Sequence, residues 1–287
     1  MYKLACLVLV ASGIGTVCPA ESHSDRWTVH EEETVDKTLH LSGQPMRLVV
    51  DNLDGYVHVT GIDGTQVHVI AHKTIRAETD ADLKQAKAEV SLDMSEQPGS
   101  ASIEYKAPWR CRNHCGDCCD DRRRFYEVRY DIDIEAPRAA RAVLSNVNGA
   151  ITLDRTDGDF DVHAVNGAVR MGNIGGPGEV RTVNGSITVQ FAKNPVQPCS
   201  MKTVNGAIDA YFQPRLSADL FFKTFNGAVW GDFDLSPLPT PTGDTERKNG
   251  MFVYRSSRRV GGRIGQGGPQ ISFETLNGTI RLHGQQN

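Results

Sequence analysis

After its first twenty residues, this chain of 287 residues has no apolar run approaching the roughly 18 needed to span a bilayer. That excludes a transmembrane helix from the mature chain. Short signatures of catalysis are missing too: there is no Gly-x-Ser-x-Gly elbow and no His-Glu-x-x-His pair. The glycine-rich stretch Gly261-Gly262-Arg263-Ile264-Gly265-Gln266-Gly267-Gly268 is not followed by Lys-Ser/Thr and lacks a strand-loop-helix context, which argues against nucleotide binding. Net charge is small, 31 basic against 35 acidic residues giving −4, and this argues against a general nucleic-acid binder. With 39% hydrophobic and 23% charged residues, the chain has enough apolar surface to pack a core.

The N-terminus reads as a secretory signal over residues 1–20. Lys3 supplies the positive start, Leu7, Val8, Leu9, Val10 and Ile14 the apolar stretch, and Cys18-Pro19-Ala20 a cleavage site. Cys18 as a lipidated residue is disfavoured by the bulky Val17 before it. The expected location is periplasmic or secreted. Of seven cysteines, Cys6 and Cys18 leave with the signal. Cys111, Cys115, Cys118, Cys119 and Cys199 remain, in a compartment where disulfides are the default.

What the chain does have is a repeat. Asn-Gly recurs at Asn148, Asn166, Asn184, Asn205, Asn226 and Asn277, with spacings of 18, 18, 21, 21 and 51. An apolar residue precedes each (Val147, Val165, Val183, Val204, Phe225, Leu276), and another follows each glycine by two (Ile151, Val169, Ile187, Ile208, Val229, Ile280). Asn and Gly tolerate positive φ, so the pair marks a tight turn. The flanks alternate with strand period. One unit cannot bury its apolar face alone, whereas stacked units can. Near-constant spacing favours a single-stranded β-solenoid, an Asn-Gly corner on each coil, over a run of hairpins. This reading stacks Val165, Val183 and Val204 in the core, lets the Asn column hydrogen-bond between coils, and places one further coil plus an insertion in the 51-residue gap.

A diverged copy precedes the series. Residues 52–59 match 146–153 at a constant offset of 94. Three divisions follow: the signal at 1–20; an N-terminal β part at 21–138 with the first repeat and a Cys-rich loop at 110–124; and the Asn-Gly β-repeat region at 139–287. Pro237, Pro239, Pro241 and Gly243 mark a loop insertion at 236–250. One short helix is expected near residues 80–90, with Asp80 as its cap. The fold class is all-β.

The serial Val-Asn-Gly units, the opening Val49-Val50-Asp51-Asn52-Leu53-Asp54-Gly55, and the closing Gly265–Gly268 with Phe273-Glu274-Thr275-Leu276-Asn277-Gly278-Thr279-Ile280 carry a resemblance. Over residues 45–283 the chain resembles a bacterial envelope family of unknown function named "putative adhesin", related to toast-rack β-repeat domains. The resemblance implies a β-repeat architecture and a surface role. The Cys-rich insertion at 111–119 departs from the family pattern.

Chemistry has few places to reside. Cys111, Cys115, Cys118 and Cys119, with His114 among them, are read as a disulfide-stapled loop; zinc or redox chemistry is the alternative. Arg122, Arg123 and Arg124, with Arg255, Arg258, Arg259 and Arg263, form two basic strips that could grip anionic glycans. His58, His68 and His72 share one exposed sheet face. Carboxylates such as Asp154, Asp157, Asp159 and Asp161 are plentiful, but no pattern singles one out as catalytic. The sequence therefore points to a non-enzymatic envelope protein, without metal or cofactor, acting as adhesin, scaffold or binding surface. Its partner is an unidentified envelope or surface component, an anionic glycan among the candidates. A glycan-acting enzyme and a metal- or redox-responsive module are the alternatives.

Overall fold

The computed structural model describes residues 26–110, 125–238, 245–248, 251–254 and 260–285. The chain is all-β with one short helix. Its N-terminal part comprises β1 (Val29–His40), β2 (Arg47–Asp54), β3 (Val57–Ile62), β4 (Gln66–Ala77), α1 (Asp80–Glu89), β5 (Ser91–Gln97), β6 (Ser100–Lys106) and β7 (Tyr126–Pro137). Then come pairs of strands joined at Asn-Gly: β8 (Arg141–Asn148) and β9 (Ile151–Asp154), β10 (Phe160–Asn166) and β11 (Val169–Ile174), β12 (Gly178–Asn184) and β13 (Ile187–Phe191), β14 (Cys199–Asn205) and β15 (Ile208–Phe212), β16 (Ala218–Asn226) and β17 (Val229–Gly231). β18 (Ser236–Pro237), β19 (Thr245–Lys248), β20 (Met251–Tyr254) and β21 (Val260–Ile264) lead to the last pair, β22 (Gln270–Asn277) and β23 (Ile280–Gly284).

Each pair gives one strand to each of two large sheets. One runs β1-β4-β7-β3-β9-β11-β13-β15-β23-β17, the other β18-β21-β16-β22-β14-β12-β10-β8-β2-β6-β5. Both are mixed and open: the repeat strands pair in parallel, the flanking strands antiparallel. Alternation within each strand turns one face to the space between the sheets. There Val162, Val180, Met201, Phe273 and Leu220 from one sheet meet Val169, Ile187, Ile208 and Ile280 from the other, all nearly inaccessible. Phe222 stacks on Phe273 with centroids 5.6 Å apart, and Phe191 on Phe212 at 5.2 Å.

The register follows the sequence period. Asn148 pairs with Asn166, Asn166 with Asn184, Asn184 with Asn205, and Asn205 with Asn277. The offset of 94 is also structural: Arg47 pairs with Arg141 and Val57 with Ile151. The helix cap lies one residue earlier than expected: Thr79, not Asp80, caps α1, its Oγ1 accepting the Asp82 N–H at 3.2 Å.

Three expectations are corrected. Val165, Val183 and Val204 are 40%, 40% and 38% exposed rather than core. The inward place beside them belongs to Thr182 and Thr203, because strand parity, not apolarity, decides which side chain faces in. Among its described residues, the 51-residue gap shows no further coil. Instead β22 lies between β14 and β16, so the last repeat sits inside the stack rather than at its end. The insertion at 236–250, expected as a loop, contributes β18 and β19, paired with β21 and β20.

Candidate functional site

The Asn-Gly corners are built from three aligned columns. The first is a ladder of side-chain amides. Asn166 Nδ2 donates to Asn148 Oδ1 (3.0 Å), Asn184 to Asn166 (2.9 Å), Asn205 to Asn184, Asn277 to Asn205 and Asn226 to Asn277 (each 2.8 Å). Asn148 ends the run by donating to Asp54 Oδ1 at 2.6 Å. The second column is glycine. A Cβ on Gly167, Gly185 or Gly206 would lie 2.0 Å from the carbonyl oxygen of the corner glycine before it. Those three residues are outside the left-handed region. Close stacking, rather than positive φ, is what demands glycine there. The third column was missed in the sequence: Thr182, Thr203 and Thr275 donate inward to the carbonyls of Gly167, Gly185 and Gly206 at 3.1, 2.9 and 3.1 Å. Asn146 takes the same place and reaches Gly55 O at 2.7 Å. A threonine or asparagine two residues before every ladder residue but Asn166, where Ala164 stands, was the available signal.

Outside these columns, the second sheet presents an apolar row at the position preceding each ladder residue. Val165, Val183, Val204, Leu276 and Phe225 stand on β10, β12, β14, β22 and β16, with Leu276 47% and Phe225 67% exposed. One turn of the strand alternation away runs a charged row: Arg181, Lys202, Glu274 and Lys223. Between the two rows, across β12, β14, β22 and β16, lies a groove of about 640 Å³. Glu179 bonds Arg181 and sits 3.3 Å from Lys202; Lys223 bonds Glu274. The Arg181 guanidinium, with Lys202, holds the Glu179 carboxyl below its ordinary range.

Among the described residues, none of the other side chains singled out in the sequence lines the groove. Cys111, Cys115, Cys118, Cys119, His114, Arg122, Arg123, Arg124, Arg255, Arg258 and Arg259 lie outside the described residues, as does the N-terminal signal. Arg263 is described, on β21, and its guanidinium is held by Asp219 at 2.7 and 2.9 Å, away from the groove. Cys199 is a buried core thiol, and burial pushes its pKa up to about 11. The histidines do share the outer face of the first sheet. His58 Nδ1 is 3.1 Å from Asp133 Oδ1, His68 Nε2 is 2.8 Å from Asp36 Oδ1, and His72 Nδ1 is 3.1 Å from Thr34 Oγ1. Tyr56 donates to the same Asp133 at 2.7 Å, which pushes its hydroxyl to about 12. Among the described residues no group of three or more His, Cys, Asp or Glu is arranged to hold a metal ion. Likewise, among them no helix is long and apolar enough to cross a membrane. Asp161 pairs with His163 at 2.7 Å, and Asp154 accepts from Asn173 at 3.1 Å.

No family model and no curated protein matches the sequence. Among solved structures, the chain is similar to a "putative cell adhesion protein" of Clostridium sporogenes, with 8% identity and a TM-score of 0.41 over 88% of this chain and 100% of that one. It is also similar to a "putative adhesin" of Bacteroides fragilis, with 8% identity and a TM-score of 0.39 over 87% of this chain and 97% of that one.

Proposed function

We propose that the chain is an exported, non-enzymatic, adhesin-like surface-binding protein. Its repeats form a parallel β-solenoid, and the groove on the second sheet is its binding face. The observation that carries this reading is the unbroken apolar row of Val165, Val183, Val204, Leu276 and Phe225 on an outer surface. A folded chain gains nothing from placing five such side chains side by side in water, and contiguous exposed apolar surface marks an interaction site. The polar groups of the neighbouring columns are already committed to the stack: the amides bond one another and the Thr hydroxyls bond glycine carbonyls. They serve the scaffold and leave the apolar row as the feature without a structural task.

The test is saturable binding of the full chain to isolated bacterial envelopes. The double variant Val183→Glu/Val204→Glu should lose about tenfold or more in affinity. It should stay folded with a loss of about 1 kcal/mol by urea midpoint, since both positions are part-exposed and the two glutamates repel across β12 and β14. Unchanged envelope binding by that variant would overturn the reading.

A further inference from the structure

The chemistry of the groove narrows what it takes, on the reading that this groove is the binding face. Its four strands are all interior to the sheet. β12 lies between β10 and β14, β14 between β12 and β22, β22 between β14 and β16, and β16 between β22 and β21. Their backbone donors and acceptors are spent on neighbours, so an extended peptide finds no edge to join. Neutral hydrogen-bonding side chains are scarce there as well. The Thr hydroxyls point inward to glycine carbonyls, and the Asn ladder is not part of the lining. A neutral sugar chain therefore has little to read.

What remains is an apolar wall and a charged wall. Val183, Val204, Leu276 and Phe225 make the first. On the second stand three cations, Arg181, Lys202 and Lys223, and one carboxylate, Glu274. Glu179 and Asp161 stand behind that row, Asp161 paired with His163. Glu179 bonds Arg181 and lies 3.3 Å from Lys202, and Lys223 bonds Glu274, so these contacts set three cations against two carboxylates and leave one positive charge in excess beside a continuous apolar strip. The aliphatic stems of the Lys and Arg side chains extend that strip while their heads stay in water. The groove crosses three strand spacings, roughly 14 Å, in a straight line. Its volume lies in the range of small-molecule sites.

We propose that this groove binds a single-chain anionic lipid, a fatty acid. The alkyl chain lies across β12, β14, β22 and β16 against the apolar row, and the carboxylate meets the ammonium and guanidinium groups of the charged row. The match is one of charge as well as shape: a straight apolar ligand with one negative end fits a straight apolar strip with a positive rim.

Calorimetric titration of the full chain with monomeric dodecanoate tests this, with 1-dodecanol, butyrate and phosphatidylglycerol vesicles as parallel probes. Dodecanoate should bind saturably at one site. Dodecanol should bind about tenfold more weakly or worse, and butyrate not measurably. Lys202→Ala should weaken dodecanoate and leave dodecanol unchanged, while Val204→Glu should weaken both. Urea midpoints serve as the folding check on each variant. Equal binding of dodecanoate and dodecanol, indifference to Val204→Glu, or binding to vesicles but not to monomer would each overturn the proposal. Envelope binding that Val183→Glu/Val204→Glu abolishes, with no dodecanoate binding, would remove the fatty acid and leave the binding face standing.

Discussion

Gly185 shows how little freedom a corner residue has. Its Cα faces the carbonyl oxygen of Gly167, and a methyl group there would stand 2.0 Å from that backbone atom. The obstacle is main chain, so no side-chain rotation relieves it. Gly185→Ala should therefore cost about 3 kcal/mol in urea unfolding, a cost of overpacking rather than of turn handedness. A loss below about 0.5 kcal/mol would mean the repeats are not stacked this closely. The glycine itself was evident in the sequence. Its reason was not, because positive φ and close approach select the same residue. A similar ambiguity hid the valines. Val183 and Thr182 are one apolar and one polar neighbour, and only strand parity says which faces in. The polar one does, because a glycine carbonyl waits for its hydroxyl at 3.1 Å. Of the two arginine strips, Arg263 alone falls among the described residues, and its guanidinium is held by Asp219.

At the scale of the element, the amide ladder has a direction. Each Asn donates to its neighbour on the Asp54 side of the stack, and the run ends on Asp54, which can only accept. A carboxylate belongs at that end and nowhere upstream of another acceptor. Asp54→Asn should therefore be almost neutral, because its oxygen still accepts from Asn148. Asn148→Asp should be costly, since it sets two carboxylates face to face and removes the donor, at about 2 kcal/mol near neutral pH. The sign of the pH effect follows: protonating either carboxyl restores a donor and relieves the repulsion. The cost should shrink as the pH falls into the carboxylate range. Urea midpoints at pH 7 and pH 4 check this, and equal costs at the two values would show that the ladder has no polarity. The column and its hydrogen bonds were legible from spacing alone, because 18 and 21 residues return the chain to one corner. The groove beside it was not legible, since it comes from the outward parity of a residue that apolarity alone assigns to the core.

For the whole molecule, the unexpected feature is the place of the last repeat. β22 and β23 sit between the fourth and fifth strand pairs of the Asn-Gly series, although they are made last. No spacing in the sequence distinguishes an end position from an inner one, because Asn226 and Asn277 carry the same motif. The arrangement makes a test. In a stack built in chain order, removing the final repeat would expose only its neighbour. Here, removing residues 260–287 takes away β21, β22 and β23, which hold β16 and β17 on every paired side among the described strands. Hydrogen exchange should then show residues 218–231 unprotected while β8, β10 and β12 remain slow. Uniform loss of protection would instead make the stack a single cooperative unit. The same arrangement sets an order on synthesis. As the chain leaves the ribosome, its fifth repeat emerges before the piece that will hold it, and both sheets stay unfinished until the final strand pair is released. Closure comes late and lands in the middle, so two neighbouring nascent chains have a piece to exchange, and crowded synthesis is where this protein is most exposed to joining the wrong copy of itself.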